Sequence, residues 1–247
     1  MSELEGIYTI WLREVIRYSR DKSRIVSSFI QPLLLLFVLG SGFSFVKFGS
    51  LNYQTFLFPG IVVVSLVGVS IASGISVIWD REFGFLKEIL VAPVSRTSIF
   101  VGKAFGGCTI ALIQGIIILS LSFILKIHLT FYSFFISIGL MALLSLSLVS
   151  IGLIIASLIE SMESFGMIMN FIIFPLIFLS GAFFPLQEAP SWLKIISFLN
   201  PLTYGVEAMR YNLISFSFIP FHISLIVISV FSFITILLGG ATFSRRK

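Results

Sequence analysis

The sequence offers one Gly-Lys step, Gly102-Lys103, and that is where a phosphate-binding loop would be sought. Such a loop needs a second glycine five positions earlier and Ser or Thr after the lysine. Thr97 and Ala104 occupy those places, so the sequence shows no nucleotide site of its own. Ser73-Gly74 and His222 could supply the nucleophile and base of an intramembrane serine protease. Small serines also allow close helix packing, and His222 lies beside Pro220 near the end of an apolar run, so structural roles account for both more simply. The single Cys108 excludes a disulfide within one chain, and no Cys/His cluster has zinc spacing. No Asp, Glu, Lys or Arg falls inside an expected span, where a proton or sodium relay would need one. Gln114 and Asn170 are among the strongest polar groups there. They read as interhelical hydrogen-bonders or as polar contacts along a pathway. No bound cofactor or metal is expected.

The elements that hold these residues are read from hydropathy and charge. The chain is 57% hydrophobic and 11% charged, against about 25% charged in a soluble domain, so the bilayer must be its main solvent. Six apolar segments are long enough to span: Ile25–Val46, Phe56–Ile78, Ala104–Leu125, and stretches within Leu129–Ile159, Ser164–Gln187 and Phe218–Ser244. Runs of this length satisfy their backbone in lipid as helices. The expected fold is an all-α integral membrane protein of six transmembrane helices in a single domain, 1–247. With the N-terminus inside, the inner side holds twelve of the 16 Lys and Arg, and Lys47, Lys126, Lys194 and Arg210 remain outside. Both termini are therefore expected in the cytoplasm, and the net charge of +5 reflects orientation rather than nucleic acid. Residues 1–24 carry charges throughout, so no signal peptide is expected and the protein should begin near Met1.

Three pieces do not span. In 1–24, Leu4, Ile7, Trp11 and Tyr18 share one helical side and Arg13, Arg17, Arg20 and Arg24 the other, the pattern of a helix lying in the headgroup layer. In the outer segment 186–217, Pro190, Asn200-Pro201 and Gly205 interrupt an apolar stretch. Ile195–Val206 is uncharged but only half a span long, which suits a re-entrant or interfacial element packed on protein. The third piece, 80–100, is cytoplasmic. Phe83, Leu86, Leu90 and Val94 recur at helical spacing, Pro93 ends that helix, and Ser95 can cap the next one. From the residues alone it is equally a docking helix for a soluble partner or an interfacial loop with its apolar side in lipid. Gly102-x-x-x-Gly106 has small-residue packing spacing, which chance supplies as readily.

Glu82-Phe83-Gly84-Phe85-Leu86-Lys87-Glu88-Ile89-Leu90, then Ala92-Pro93-Val94-Ser95, resembles the E-x-G-T-L-E-x-L-x-x-x-P-x-S block of type-2 ATP-binding-cassette (ABC) membrane subunits. Phe85 stands in place of the usual threonine, and Lys87 where an acidic residue is common. Gly181, Pro185, Trp192, Asn200, Pro201, Tyr204 and Arg210 are similar, in order, to the family's outer signature. The resemblance covers nearly the whole chain. It implies the permease subunit of an exporter driven by two separate ABC ATPase subunits, which carry the ATP and Mg, with no catalysis by this chain. It implies pairing with a second permease copy, as homodimer or heterodimer, in a prokaryotic plasma membrane. Glu82, Phe83, Gly84, Leu86, Leu90, Pro93 and Ser95 would belong to a coupling helix seated on the ATPase. Trp11, Arg13, Arg17 and Tyr18 would belong to an interface helix, and 186–217 would form re-entrant half-helices between spans 5 and 6. The competing class is a self-sufficient channel or secondary carrier. The cargo, drug, lipid or polysaccharide, is not legible.

Overall fold

The computed structural model describes residues 3–48, 51–84, 94–159 and 161–245, and these are helical almost throughout. Helix α1 (Glu3–Arg20) stops at Asp21, whose carboxylate accepts the Arg24 N–H at 3.0 Å and caps α2 (Lys22–Gly42). The basic stretch read as one interfacial piece is thus divided: Lys22 and Arg24 open the first membrane-length helix. Pro32 lies inside α2. It has no N–H to give the Ser28 carbonyl four residues back, and the helix widens into a π-turn at Leu35–Leu39. A small antiparallel hairpin, β1 (Lys47–Phe48) and β2 (Leu51–Asn52), leads into α3 (Tyr53–Glu82), which turns briefly at Ser73-Gly74.

Then follow α4 (Arg96–Ser120), α5 (Phe131–Leu158), α6 (Met162–Phe178), α7 (Ser191–Leu199), α8 (Pro201–Ile214) and α9 (Phe221–Arg245). Helix α3 is the buried centre, packed by α4, α5 and α8, while α9 closes over α5 and α8. Helices α2 and α9 leave Val26, Ile30, Phe37, Val230 and Phe233 uncovered, apolar surface that only lipid or another apolar chain solvates well.

Among the described residues, five helices are long and apolar enough to cross a membrane: α2, α3, α4 with its 3-10 extension to Phe123, α5 and α9. The fifth expected segment also becomes an apolar helix, but α6 is shorter, because the chain turns at Leu179 and Gly181 adopts φ +73°. Asp80 and Lys103, just outside the expected spans Phe56–Ile78 and Ala104–Leu125, lie inside α3 and α4. The half-span Ile195–Val206 is not one element. Its chain breaks between α7 and α8, where Pro201 begins a helix that Asn200 caps by accepting the Leu202 N–H.

Candidate functional site

The buried stripe of α1 is Gly6, Ile10, Glu14 and Tyr18, at spacings of four. This differs from the amphipathic split read in the sequence, since a carboxylate is buried and Leu4 and Tyr8 are exposed. The stripe packs on α4 rather than on lipid. A Cβ at Gly102 would lie 2.8 Å from that of Ile10, and one at Gly106 2.7 Å from that of Glu14. The Gly102-x-x-x-Gly106 spacing therefore serves the α1–α4 contact. Gly106→Leu is expected to lift α1 off α4, read as faster tryptic cleavage after Arg13, Arg17 and Arg20 in native membranes. Cleavage at the parental rate would show that the helices do not rely on this approach.

The contact brings together groups far apart in sequence. Lys103 Nζ donates to Glu14 Oε1 at 2.9 Å, Asp80 Oδ2 at 2.7 Å and Ser76 Oγ at 3.0 Å, using its three donors. The other Asp80 oxygen accepts from Arg13 and lies 3.5 Å from Arg17, whose guanidinium stacks over Trp79 at 4.6 Å. The Lys103 and Asp80 side chains are 1% and 2% exposed, so water screens that pair little, while Arg13 and Arg17 remain about a third exposed. Trp11 adds a bond from its indole N–H to Thr109 Oγ1 at 3.0 Å, and Tyr18 meets Ser28 Oγ at 3.3 Å.

This cluster stands where α3 leaves the bundle. Next to Asp80, Arg81 donates to the Ile159 carbonyl at 2.8 Å, satisfying the end of α5. Glu82 and Phe83 are exposed, and Gly84 has φ +76° with open space where a Cβ would stand, so it makes a bend and not a close approach. Leu86, Leu90 and Pro93 lie outside the described residues. Where the chain re-enters the description, Ser95 caps α4 by accepting the Ser98 N–H at 3.1 Å. Ser95 also donates to Glu3 of α1 from its hydroxyl, at 3.0 Å, and from its N–H, and Ser98 Oγ donates to the same carboxylate. The Ser98 hydroxyl first, then Ser95, hold the exposed Glu3 carboxyl below its ordinary range. Its contribution is therefore full above that range and lost only as pH falls through the depressed value. Helix α1 thus grips both flanks of residues 85–93.

At the opposite end, Arg210 and Glu207 form an ion pair, each side chain 1% exposed. Arg210 donates to the Gly181 carbonyl at 2.8 Å and lies 4.1 Å from the centre of the Phe56 ring. Glu207 also accepts the Phe218 and Ile219 N–H groups ahead of α9. Asn200 Nδ2 donates to the Leu176 carbonyl at 2.7 Å, and Tyr204 donates to the Phe198 carbonyl at 2.9 Å. Pro185 precedes a 3-10 turn, and Trp192 stays exposed on α7. The structure therefore joins Gly181, Asn200 and Arg210 into one packed cap and leaves Trp192 outside it.

The remaining candidates separate. Gln114 lines a cavity beside α2, whereas Asn170 sits exposed on the π-turn of α6. Ser73 donates to the Ser70 carbonyl. His222 opens α9, about 30 Å of helix from Phe243, which packs on Phe100 in the first turns of α4. Ser73 lies beside Gly107, about 10 Å along α4 from Phe100, so His222 stands roughly 20 Å away along the bundle and the two make no catalytic pair.

A family model described as "ABC-2 type transporter" matches residues 5–214. The chain belongs to this family. It is 35% identical over 235 residues to "Putative transport permease ycf38" of Cyanophora paradoxa, covering 93% of this chain and 81% of that one. It is 31% identical over 169 residues to "Probable multidrug ABC transporter permease YbhR" of Escherichia coli (strain K12), covering 65% of this chain and 44% of that one. It is 25% identical over 235 residues to "Inner membrane transport permease YadH" of the same organism, covering 92% and 90%.

In this ABC-2 permease the family match runs from α1 to the last residue of α8, so it takes in both the ionic cluster and the Arg210 cap. Glu3, Glu14, Ser76, Asp80, Lys103 and Glu207 were not singled out as site residues from sequence. One signal was available for Glu14: it continues, at spacings of four, a row of small or apolar positions, and the other charges of the helix fall off that row.

Proposed function

We propose that this ABC-2 permease forms, with a second copy, the membrane path of an ATP-driven exporter, and that two separate ABC ATPases drive it through residues 80–100. Six crossings, with α6 as the short fifth and α7–α8 as the re-entrant pair, put both termini on the cytoplasmic side of a prokaryotic plasma membrane. The chain acts as one membrane domain, and ATP and Mg stay on the partner. The observation that carries this reading is the grip of α1 on both flanks of 85–93, through Asp80 on one side and Ser95 and Ser98 on the other. A segment that only rested on lipid would need no such brace. A segment that receives force does, because displacement passes into α3 and α4 only if its two ends move as a unit.

The test is purification of the tagged protein from its native membrane, with the co-purifying soluble proteins identified and ATPase activity assayed. A stoichiometric ABC ATPase is expected, and Phe83→Asp or charge reversal at Glu82 is expected to uncouple its hydrolysis from transport while insertion is unchanged. Transport by the chain alone in liposomes, with no ATPase present, would place it instead among self-sufficient channels or carriers.

A further inference from the structure

A cavity of about 320 Å³ opens between α2, α3, α4 and α6, away from the ionic cluster. That is within the size range of small-molecule sites. Its walls change character along the bundle. Arg24, Ser27, Ser28 and Gln31 line the end nearer α1, and Leu35, Val64 and Ile177 line the other.

Two polar groups in the wall keep unused bonding capacity: Arg24, whose surroundings are the Tyr18 ring and the carboxylates of Asp21 and Glu14 beyond ion-pair distance, and Gln114. Among the described residues, no ion pair or hydrogen bond engages the Arg24 guanidinium, which faces the Tyr18 ring at 5.7 Å. Gln114 is 1% exposed, and its amide is held one way round. Its Nε2 donates at 2.8 Å to the Ser28 carbonyl that Pro32 leaves free, and its Oε1 has no donor among the described residues. Ser28 lies one helical turn, about 6 Å, above Arg24. A cation and an acceptor lining one cavity, with apolar wall beyond, match a specific chemistry. An anionic group pairs with Arg24, a hydroxyl or N–H donates to Gln114, and an apolar chain follows Leu35 and Val64 toward the bundle centre.

We propose that this cavity binds the head of an anionic, hydroxyl-bearing amphiphile, such as a glycerophosphate lipid, oriented as in the leaflet at the α1 end. Naming this ligand as cargo rests on the export reading above; its binding does not. Gly68 supplies a clean probe. It lines the cavity, and a Cβ built on it meets nothing within 4 Å, so a side chain can start there unhindered, and leucine narrows the space and favours the helix.

The experiment is native mass spectrometry of the full chain in detergent, without any ATPase, titrated with phosphatidylglycerol and phosphatidylcholine. Phosphatidylglycerol is expected to be retained preferentially. Arg24→Gln should weaken its retention about tenfold, the loss of one charge-assisted bond. Gly68→Leu should weaken it comparably with unchanged thermal stability, Arg24→Lys should keep more affinity than Arg24→Gln, and Lys22→Gln, on the exposed side of the same turn, should change nothing. Equal retention of the two lipids, or equal losses in Lys22→Gln and Arg24→Gln, would reduce the effect to annular attraction and overturn the proposal. Displacement of the lipid by sn-glycerol 3-phosphate at equal concentration would overturn its amphiphile part. An ABC ATPase that co-purifies with a chain lacking lipid selectivity leaves the export reading standing and removes this one, and the converse result does the reverse.

Discussion

Asp80→Leu is expected to destabilise the folded permease by about 3–5 kcal/mol, the usual consequence of removing one partner from a buried ionic cluster. The substitution leaves Lys103, 1% exposed, with Glu14 as its remaining counter-charge. It also removes the carboxylate that Arg13 and Arg17 share in anchoring α1. For a chain of this size the apparent Tm in detergent should fall by roughly 10 °C. Lys103→Met should behave alike, since it leaves Glu14 buried without its cation. The double variant should lose less than the sum of the singles, because the buried lysine then no longer lacks its carboxylate. A fall of under about 1 kcal/mol for Asp80→Leu would mean that water reaches the cluster, as it does in exposed pairs. A second readout separates position from stability. Both variants should make residues 10–20 more accessible to protease at temperatures where the bundle is still folded.

Glu207→Leu is expected to be at least as damaging. It strands the Arg210 guanidinium with the Gly181 carbonyl and the face of Phe56, and Arg210 Nε already has no partner among the described residues. It also removes the acceptor for the Phe218 and Ile219 N–H groups that precede α9. The expected result is little monodisperse protein on size exclusion and a loss of about 3–5 kcal/mol in what is recovered. Glu207→Leu with Arg210→Met should recover part of the yield, because an apolar pair of similar volume carries no buried charge. Equal loss in the single and double variants would show that the backbone bonds of Glu207, not the ion pair, hold the cap.

The membrane fold was legible because its signal is length and hydropathy, which lipid enforces directly on the backbone. The motifs at 82–96 and 179–210 were legible because several residues recur there in order. The ionic cluster was not. Asp80 and Lys103 each close an apolar run in the sequence, where a charge usually marks the water boundary. Only the crossing of α1 over Gly102 and Gly106 removes them from water and gives them to each other. Asn200-Pro201 was readable as a break, but not that the break would separate two helices inside the supposed half-span. The role of Gln114 depended on Pro32, 82 positions earlier, and a backbone carbonyl freed in one helix leaves no mark on the sequence of another.

Helix α6 has a consequence for the lipid around it. With 17 residues it spans about 26 Å, against about 30 Å of hydrocarbon. A crossing helix of that length imposes negative hydrophobic mismatch on one side of the bundle only. With α6 as the fifth of the six crossings proposed above, the bilayer would meet that mismatch by thinning locally, bringing the two headgroup layers closest beside α6 and making the annulus asymmetric in thickness.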